Sequence, residues 1–157
     1  NVGQRKNPLW SAARKHRITA SNFGAVLGAI KRNSFTSPLQ KRLLSAYNLE
    51  AIRSISWGIN HEIEAIKAYN ETFGTVIEET GTLHVSGVLG ASPDGIIKPQ
   101  KCIFEEDNSL TLRKDHDYYH QIPSQLHITN KTSCDLVIWT CQDVECIRIT
   151  RDVNWIS

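Results

Sequence analysis

The tetrapeptide Ser92-Pro93-Asp94-Gly95 closes an apolar stretch and is the part of this chain best built to do chemistry. Pro93 fixes its own φ, Gly95 releases the backbone, and Asp94 is left projecting from a rigid strand end. A carboxylate held in this way is a hard oxygen ligand suited to Mg²⁺. A cation so placed lowers the pKa of an attacking water and neutralises charge on a phosphorus under attack, so the matching reaction is phosphodiester hydrolysis. The same four residues also make an ordinary turn, and only their surroundings separate the two readings.

Those surroundings are mildly basic. The chain has 157 residues, 40% of them hydrophobic, and a net charge of +2. That is enough for one domain with a core, expected over residues 1–157. The charge is unevenly spread. Residues 1–42 carry Arg5, Lys6, Arg14, Lys15, Arg17, Lys31, Arg32, Lys41 and Arg42 without one Asp or Glu. Such a block either faces a polyanion or forms a solvated helix face. Four cysteines, Cys102, Cys134, Cys141 and Cys146, form no CxxC pair, and no secretory apolar segment precedes them. An intracellular, reduced setting in nucleus or cytoplasm is expected, with no membrane partner. Cys102, His116, His120 and Cys134 fit no common zinc spacing, and Cys134 and Cys146 read as core.

The elements that must carry these residues follow from periodicity. A short helix through Ala12, Ala13 and Arg14 follows Asn7-Pro8-Leu9-Trp10. Thr19-Ala20-Ser21 forms an N-cap region for a helix over Asn22–Leu27, stopped at Gly28. Another helix is expected over Ser37–Tyr47, with Pro38 in its first turn and Leu39, Leu43 and Leu44 inward. Residues 57–73 trace an apolar stripe through Ile59, Ile63, Ile66, Tyr69 and Phe73, ended by Gly74. Thr82–Ser86 and Val88–Ser92 read as a hairpin about Gly87. Residues 98–116 are polar and unpatterned. Tyr118–Thr129 reads as a helix despite Pro123, and Leu136–Thr140 with Val144–Ile149 as a hairpin. The tail is expected to close over the sheet with Trp155 buried. Helices first and strands later imply an α+β or α/β sandwich.

Five segments in order carry a likeness: Trp10-x3-Arg14-x2-Arg17-Ile18-Thr19-Ala20-Ser21, Trp57-Gly58-x2-His61-Glu62-x2-Ala65, Gly90-Ala91-Ser92-Pro93-Asp94-Gly95, Tyr118-Tyr119-His120-Gln121-x3-Gln125-Leu126-x-Ile128-Thr129, and Cys134-Asp135-Leu136-Val137-Ile138-Trp139-Thr140. Together, over about residues 8–156, they resemble the YqaJ viral recombinase family, relatives of phage lambda exonuclease in the PD-(D/E)xK nuclease superfamily. The resemblance implies a restriction-endonuclease-like core, a mixed central sheet flanked by helices. It implies a Mg²⁺- or Mn²⁺-dependent exonuclease that hydrolyses duplex DNA from a 5′ end in recombination or in viral or mobile-element DNA processing. Asp94 matches the metal-binding aspartate and Glu62 the helix glutamate that reaches the same metal. Gln121 matches the first glutamine of a Gln-x-Gln near the nucleophile. Pro123 stands where the second belongs, so Gln125 transfers less directly. Arg14 and Ser21, with Arg17 beside them, match the holders of the 5′-phosphate. Double-stranded DNA ends are the implied partner, and homo-oligomeric rings occur in the family.

The residues allow these roles on physical grounds. Arg14 could grip a terminal phosphate bidentately, and Ser21 would add a hydroxyl at a helix N-terminus. Each also has a plain alternative: a helix cap for Ser21, surface charge for Arg14, a first-turn acid favoured by the helix dipole for Glu62, and surface polarity for Gln121.

One part of the pattern is absent. The superfamily places Glu-x-Lys on the strand after the aspartate, and no Glu-x-Lys or Asp-x-Lys exists anywhere in the chain. Lys101-Cys102 imitates the motif's end, but the acid's position is then Pro99. Losing a central strand would remove stabilisation comparable to a whole domain's ~5–15 kcal/mol. A segment omitted between about Ile97 and Cys102 is therefore expected over a true loss. The alternative function is a catalytically inactive DNA-end-binding module of the same fold.

Overall fold

The computed structural model describes residues 8–44, 53–79, 84–97, 113, 116 and 118–155. Helix α1 (Pro8–Arg14) begins at the proline, whose missing N–H costs nothing in a first turn. A two-residue strand β1 (Ile18–Thr19) leads into α2 (Ala20–Lys31). Helix α2 runs past both glycines, although Gly28 was the expected stop. At Gly24 a Cβ would lie 3.2 Å from the Cβ of His120, so this glycine serves close helix packing rather than helix ending. The actual stop is Asn33, at φ 48°. Its N–H donates to the Ile30 carbonyl and the N–H of Ser34 to that of Ala29, each at 2.9 Å. Those two bonds are the paired closure of a Schellman motif.

Helix α3 (Ser37–Leu43) is shorter than Ser37–Tyr47, and residues 45–47 lie outside the described residues. Leu39 and Leu43 are half-buried, but Leu44 is 62% exposed and does not turn inward as expected. Helix α4 (Arg53–Phe73) starts a turn before residue 57 and ends at Gly74, φ 61°. Glu62 therefore sits mid-helix rather than in a first turn, and the dipole argument for it lapses. Ile63, 71% exposed, falls off the stripe that buries Tyr69 at 1%. After the helix, the Asn70 Oδ1 accepts from the Thr75 hydroxyl (3.0 Å) and from the N–H of Ile77 (3.1 Å), steering the chain into a strand.

Where one mixed central sheet was expected, the described residues form three small ones. Strands β3 (His84–Ser86) and β4 (Leu89–Ala91) make the hairpin about Gly87, φ 46°, and β1 joins β4 in parallel. Strands β2 (Ile77–Glu79) and β5 (Gly95–Ile97) pair antiparallel. A Cβ on Gly95 would collide with Cγ2 of Ile77, so any larger residue after Asp94 would force Ile77 to shift for these strands to stay closed. Strands β6 (Ser133–Trp139) and β7 (Val144–Thr150) form the long hairpin, in register from Ser133↔Thr150 to Trp139↔Val144. The expectations of a missing Glu-x-Lys strand and of a segment omitted between about Ile97 and Cys102 fall on residues 98–112, outside the described residues.

Helix α5 (Tyr118–Thr129) has the expected bounds, Pro123 included, and packs against α2. The other helix, α4, lies on the Asp135 face of the β6–β7 hairpin. There the Tyr69 hydroxyl donates to Asp135 Oδ2 at 2.5 Å, and Arg148 donates Nε to Oδ1 and Nη2 to Oδ2, each at 2.7 Å. At the other end of α4, Trp57 and His61 stack on Trp139 with centroids 5.8 and 6.0 Å away. Trp155 is half-buried, and it packs on helices rather than over a sheet. Its ring meets Phe23 (5.2 Å), His127 (5.7 Å) and His120 (6.0 Å). No described helix is long and apolar enough to cross a membrane.

Candidate active site

A cleft of about 210 Å³ opens where the N-terminal elements, the Ser92–Asp94 turn and α5 meet. It is the size of a phosphate group with part of its water shell, far too small for a duplex. Trp10 and Arg14 enter it from α1, Thr19 and Ser21 from the start of α2, Ser92 and Asp94 from the turn, and Gln121 and Gln125 from α5. Four expected site residues thus converge: Asp94, Arg14, Ser21 and Gln121.

The cleft's first wall is fastened from outside. The N–H of Ile18 donates to the Val88 carbonyl at 2.8 Å, setting β1 on β4. Arg17 donates Nε to the Gly87 carbonyl at 3.1 Å and Nη1 to the Ala13 carbonyl. Arg17 does not line the cleft. Its side chain bridges α1 and the β3–β4 turn.

Thr19 occupies the N-cap of α2, yet its hydroxyl caps no backbone N–H. It turns instead to Ser21 Oγ at 3.0 Å and accepts from Asn22 Nδ2 at 3.1 Å. Ser21 is consequently not the cap. Its hydroxyl is held by a threonine that is itself 5% exposed, in the first turn of a helix whose dipole favours an anion. Arg42, on α3, donates Nη2 to the Ser21 carbonyl at 3.1 Å and adds a second guanidinium near this turn.

On the far wall, Gln121 and Gln125 stand one turn apart on α5, so both amides face the same way. Pro123 leaves this face intact. The Ser124 hydroxyl donates to the Gln121 carbonyl at 2.8 Å. Gln125, carried over less directly, lines the cleft equally with Gln121.

Asp94 lies between β4 and β5, on the cleft wall. Its charge reaches β6: burial chiefly, then Asp135 and Asp94, push the Cys134 thiol up to about 11. Glu62, the second expected metal carboxylate, does not line the cleft. Among the described residues no group of three His, Cys, Asp or Glu side chains comes together to hold an ion. Of the zinc set Cys102, His116, His120 and Cys134, the first lies outside the described residues. The cleft offers one carboxylate and neutral hydroxyl and amide oxygens. These are donors of the type Mg²⁺ prefers, but the described residues do not amount to a complete magnesium site.

Sequence reasoning passed over Trp10, Thr19 and Ser92. The indole Nε1 donates to Ser92 Oγ at 2.9 Å, and the Arg14 guanidinium carbon lies 4.4 Å from the centroid of the Trp10 ring. The i,i+4 spacing of Trp10 and Arg14 was the available signal.

The chain belongs to the family described as the YqaJ-like viral recombinase domain, whose model matches residues 9–132. Among solved structures it is similar to LHK-Exo in complex with dAMP, at 22% identity and a TM-score of 0.69. That match covers 96% of this chain and 85% of the other. It is also similar to the alkaline exonuclease LHK-Exo from Laribacter hongkongensis, with the same identity and coverage and a TM-score of 0.67. At such identity the likeness establishes a mixed α/β fold shared with these nucleases. No curated protein matches the chain.

Proposed function

We propose that this protein is a metal-dependent exodeoxyribonuclease that degrades duplex DNA from a 5′ end, in recombination or in the processing of viral or mobile-element DNA. The observation that carries the reading is the convergence of Asp94 with Arg14, Ser21 and Gln121 in one phosphate-sized cleft. Family membership and the fold shared with an alkaline exonuclease support it. In this reading Arg14, Ser21 and the first turn of α2 bind the terminal phosphate, which carries more charge than an internal one. Gln121 and Gln125 orient the scissile phosphate and water. Asp94 is one ligand of Mg²⁺ or Mn²⁺, which when bound supplies an acidified water and charge neutralisation. The basic residues of α2 and α3 steer the polyanion by long-range attraction, which weakens steeply with salt.

The test is digestion of end-labelled linear duplex with Mg²⁺, comparing 5′ and 3′ labels. Early release of the 5′ label supports the proposal, and early release of the 3′ label refutes its direction. A second reading, an inactive DNA-end-binding module, is favoured by one specific observation: the sequence contains no Glu-x-Lys or Asp-x-Lys. Tight binding of DNA ends without nucleotide release at any Mg²⁺ or Mn²⁺ concentration would establish it.

A further inference from the structure

We propose that Trp10 is a positioning residue that joins Arg14 to the Ser92–Asp94 turn and thereby sets how strongly a phosphorylated 5′ end is preferred over a hydroxyl end. The proposal rests on the DNA-end reading above and adds to it a residue with no role there. Helix α1 has seven residues, too few to be stable alone, so its orientation must come from tertiary contacts. One of them spans the fold: the indole N–H, the only polar group of Trp10, is spent on Ser92 Oγ at 2.9 Å. That bond fixes the plane of the indole. Arg14, one turn on, lies over that plane at 4.4 Å. A guanidinium resting against an aromatic face is held by the ring's quadrupole, so the place at which Arg14 can meet a phosphate follows the place of the indole.

Ser92 gains an orientation as well. A hydroxyl that accepts from Trp10 keeps its own proton to donate, and Ser92 lines the cleft. Arg14 and Ser92, both on the cleft wall, thus share one fixed reference in the indole.

The experiment measures binding of full-length protein to duplexes bearing a 5′-phosphate or a 5′-hydroxyl, by fluorescence anisotropy in EDTA. Trp10→Phe keeps the ring face and loses the N–H, Ser92→Ala loses the acceptor, and Trp10→Leu loses both contacts. The expected result is a preference for phosphate in the parent protein that falls about three- to tenfold in Trp10→Phe and in Ser92→Ala, as one lost hydrogen bond allows. In Trp10→Leu the preference disappears, while binding of hydroxyl ends is unchanged in both Trp10 variants. Equal weakening for both ends, or a lower Tm with the ratio intact, would overturn the proposal. Should Trp10→Leu fail to fold, the two milder variants decide alone. Absence of any phosphate preference in the parent protein would instead refute the DNA-end reading beneath it.

Discussion

Asp135 is the buried polar hinge between α4 and the β6–β7 hairpin, and its removal should unfasten the face on which α4 lies. Its side chain is 5% exposed and accepts from Tyr69 and twice from Arg148. In Asp135→Ala the hydroxyl of Tyr69, a residue 1% exposed, loses its carboxylate acceptor and keeps only the Cys146 thiol beside it, at a cost of about 1–3 kcal/mol. The Arg148 side chain is 39% exposed and can turn to water, so its loss is nearer 1 kcal/mol. The total is roughly 3 kcal/mol, a large share of a stability of ~5–15 kcal/mol. Tyr69→Phe alone should cost only about 1 kcal/mol, because Asp135 retains its arginine. The double variant Asp135→Ala/Tyr69→Phe should be more stable than Asp135→Ala, since no buried hydroxyl deprived of its carboxylate remains. Urea unfolding followed by circular dichroism, with m-values compared, measures all three. A loss under about 1 kcal/mol for Asp135→Ala, or a double variant less stable than it, would refute this account.

Other outcomes follow from the same contacts. Gly95→Ala should lower stability by about 1–3 kcal/mol through the collision with Ile77, and Ile77→Ala should recover part of it in a double-mutant cycle. Burial first, with Asp135 next, pushes the thiols of Cys134 and Cys146 up to about 11, while in the unfolded chain they ionise near ~8.5. The unfolded state therefore holds fewer protons as pH rises from ~8.5 to about 11, so Tm should fall over that range and fall less in Cys134→Val/Cys146→Val. His120 is shifted the other way, lowered by burial and then by Lys31. Its unfolded form binds the extra proton, so stability should be lost as pH drops below ~6.5, and His120→Gln should flatten that limb of a Tm-against-pH curve.

Local patterns were legible where local physics decides. The bounds of α5, the β6–β7 hairpin, the turn at Gly87 and the stop at Gly74 all follow from periodicity and from residues that tolerate positive φ. Gly28 misled as a stop because the helix is ended instead by Asn33 at positive φ, while Gly24 shows a glycine's second use, letting another helix come close through a partner ninety-odd residues away in His120. The parallel pairing of β1 with β4 joins Ile18 to Leu89, and no short-range pattern encodes it. In the cleft, Asp94, Arg14, Ser21 and Gln121 were legible through family motifs. Arg17 was not, because its identity as a cation says nothing of the carbonyls of Ala13 and Gly87 that hold it. Glu62 was assigned to a first turn that the longer helix moved away from it.

The most direct measurement is nucleotide release from linear 5′-phosphorylated duplex in Mg²⁺ by the parent protein and by Asp94→Asn, with end binding in EDTA recorded for both. The account predicts steady release by the parent, at least ~100-fold slower release by the variant, and equal binding. Equal release by the two proteins would contradict it, because the carboxylate after Pro93 would then take no part in the chemistry.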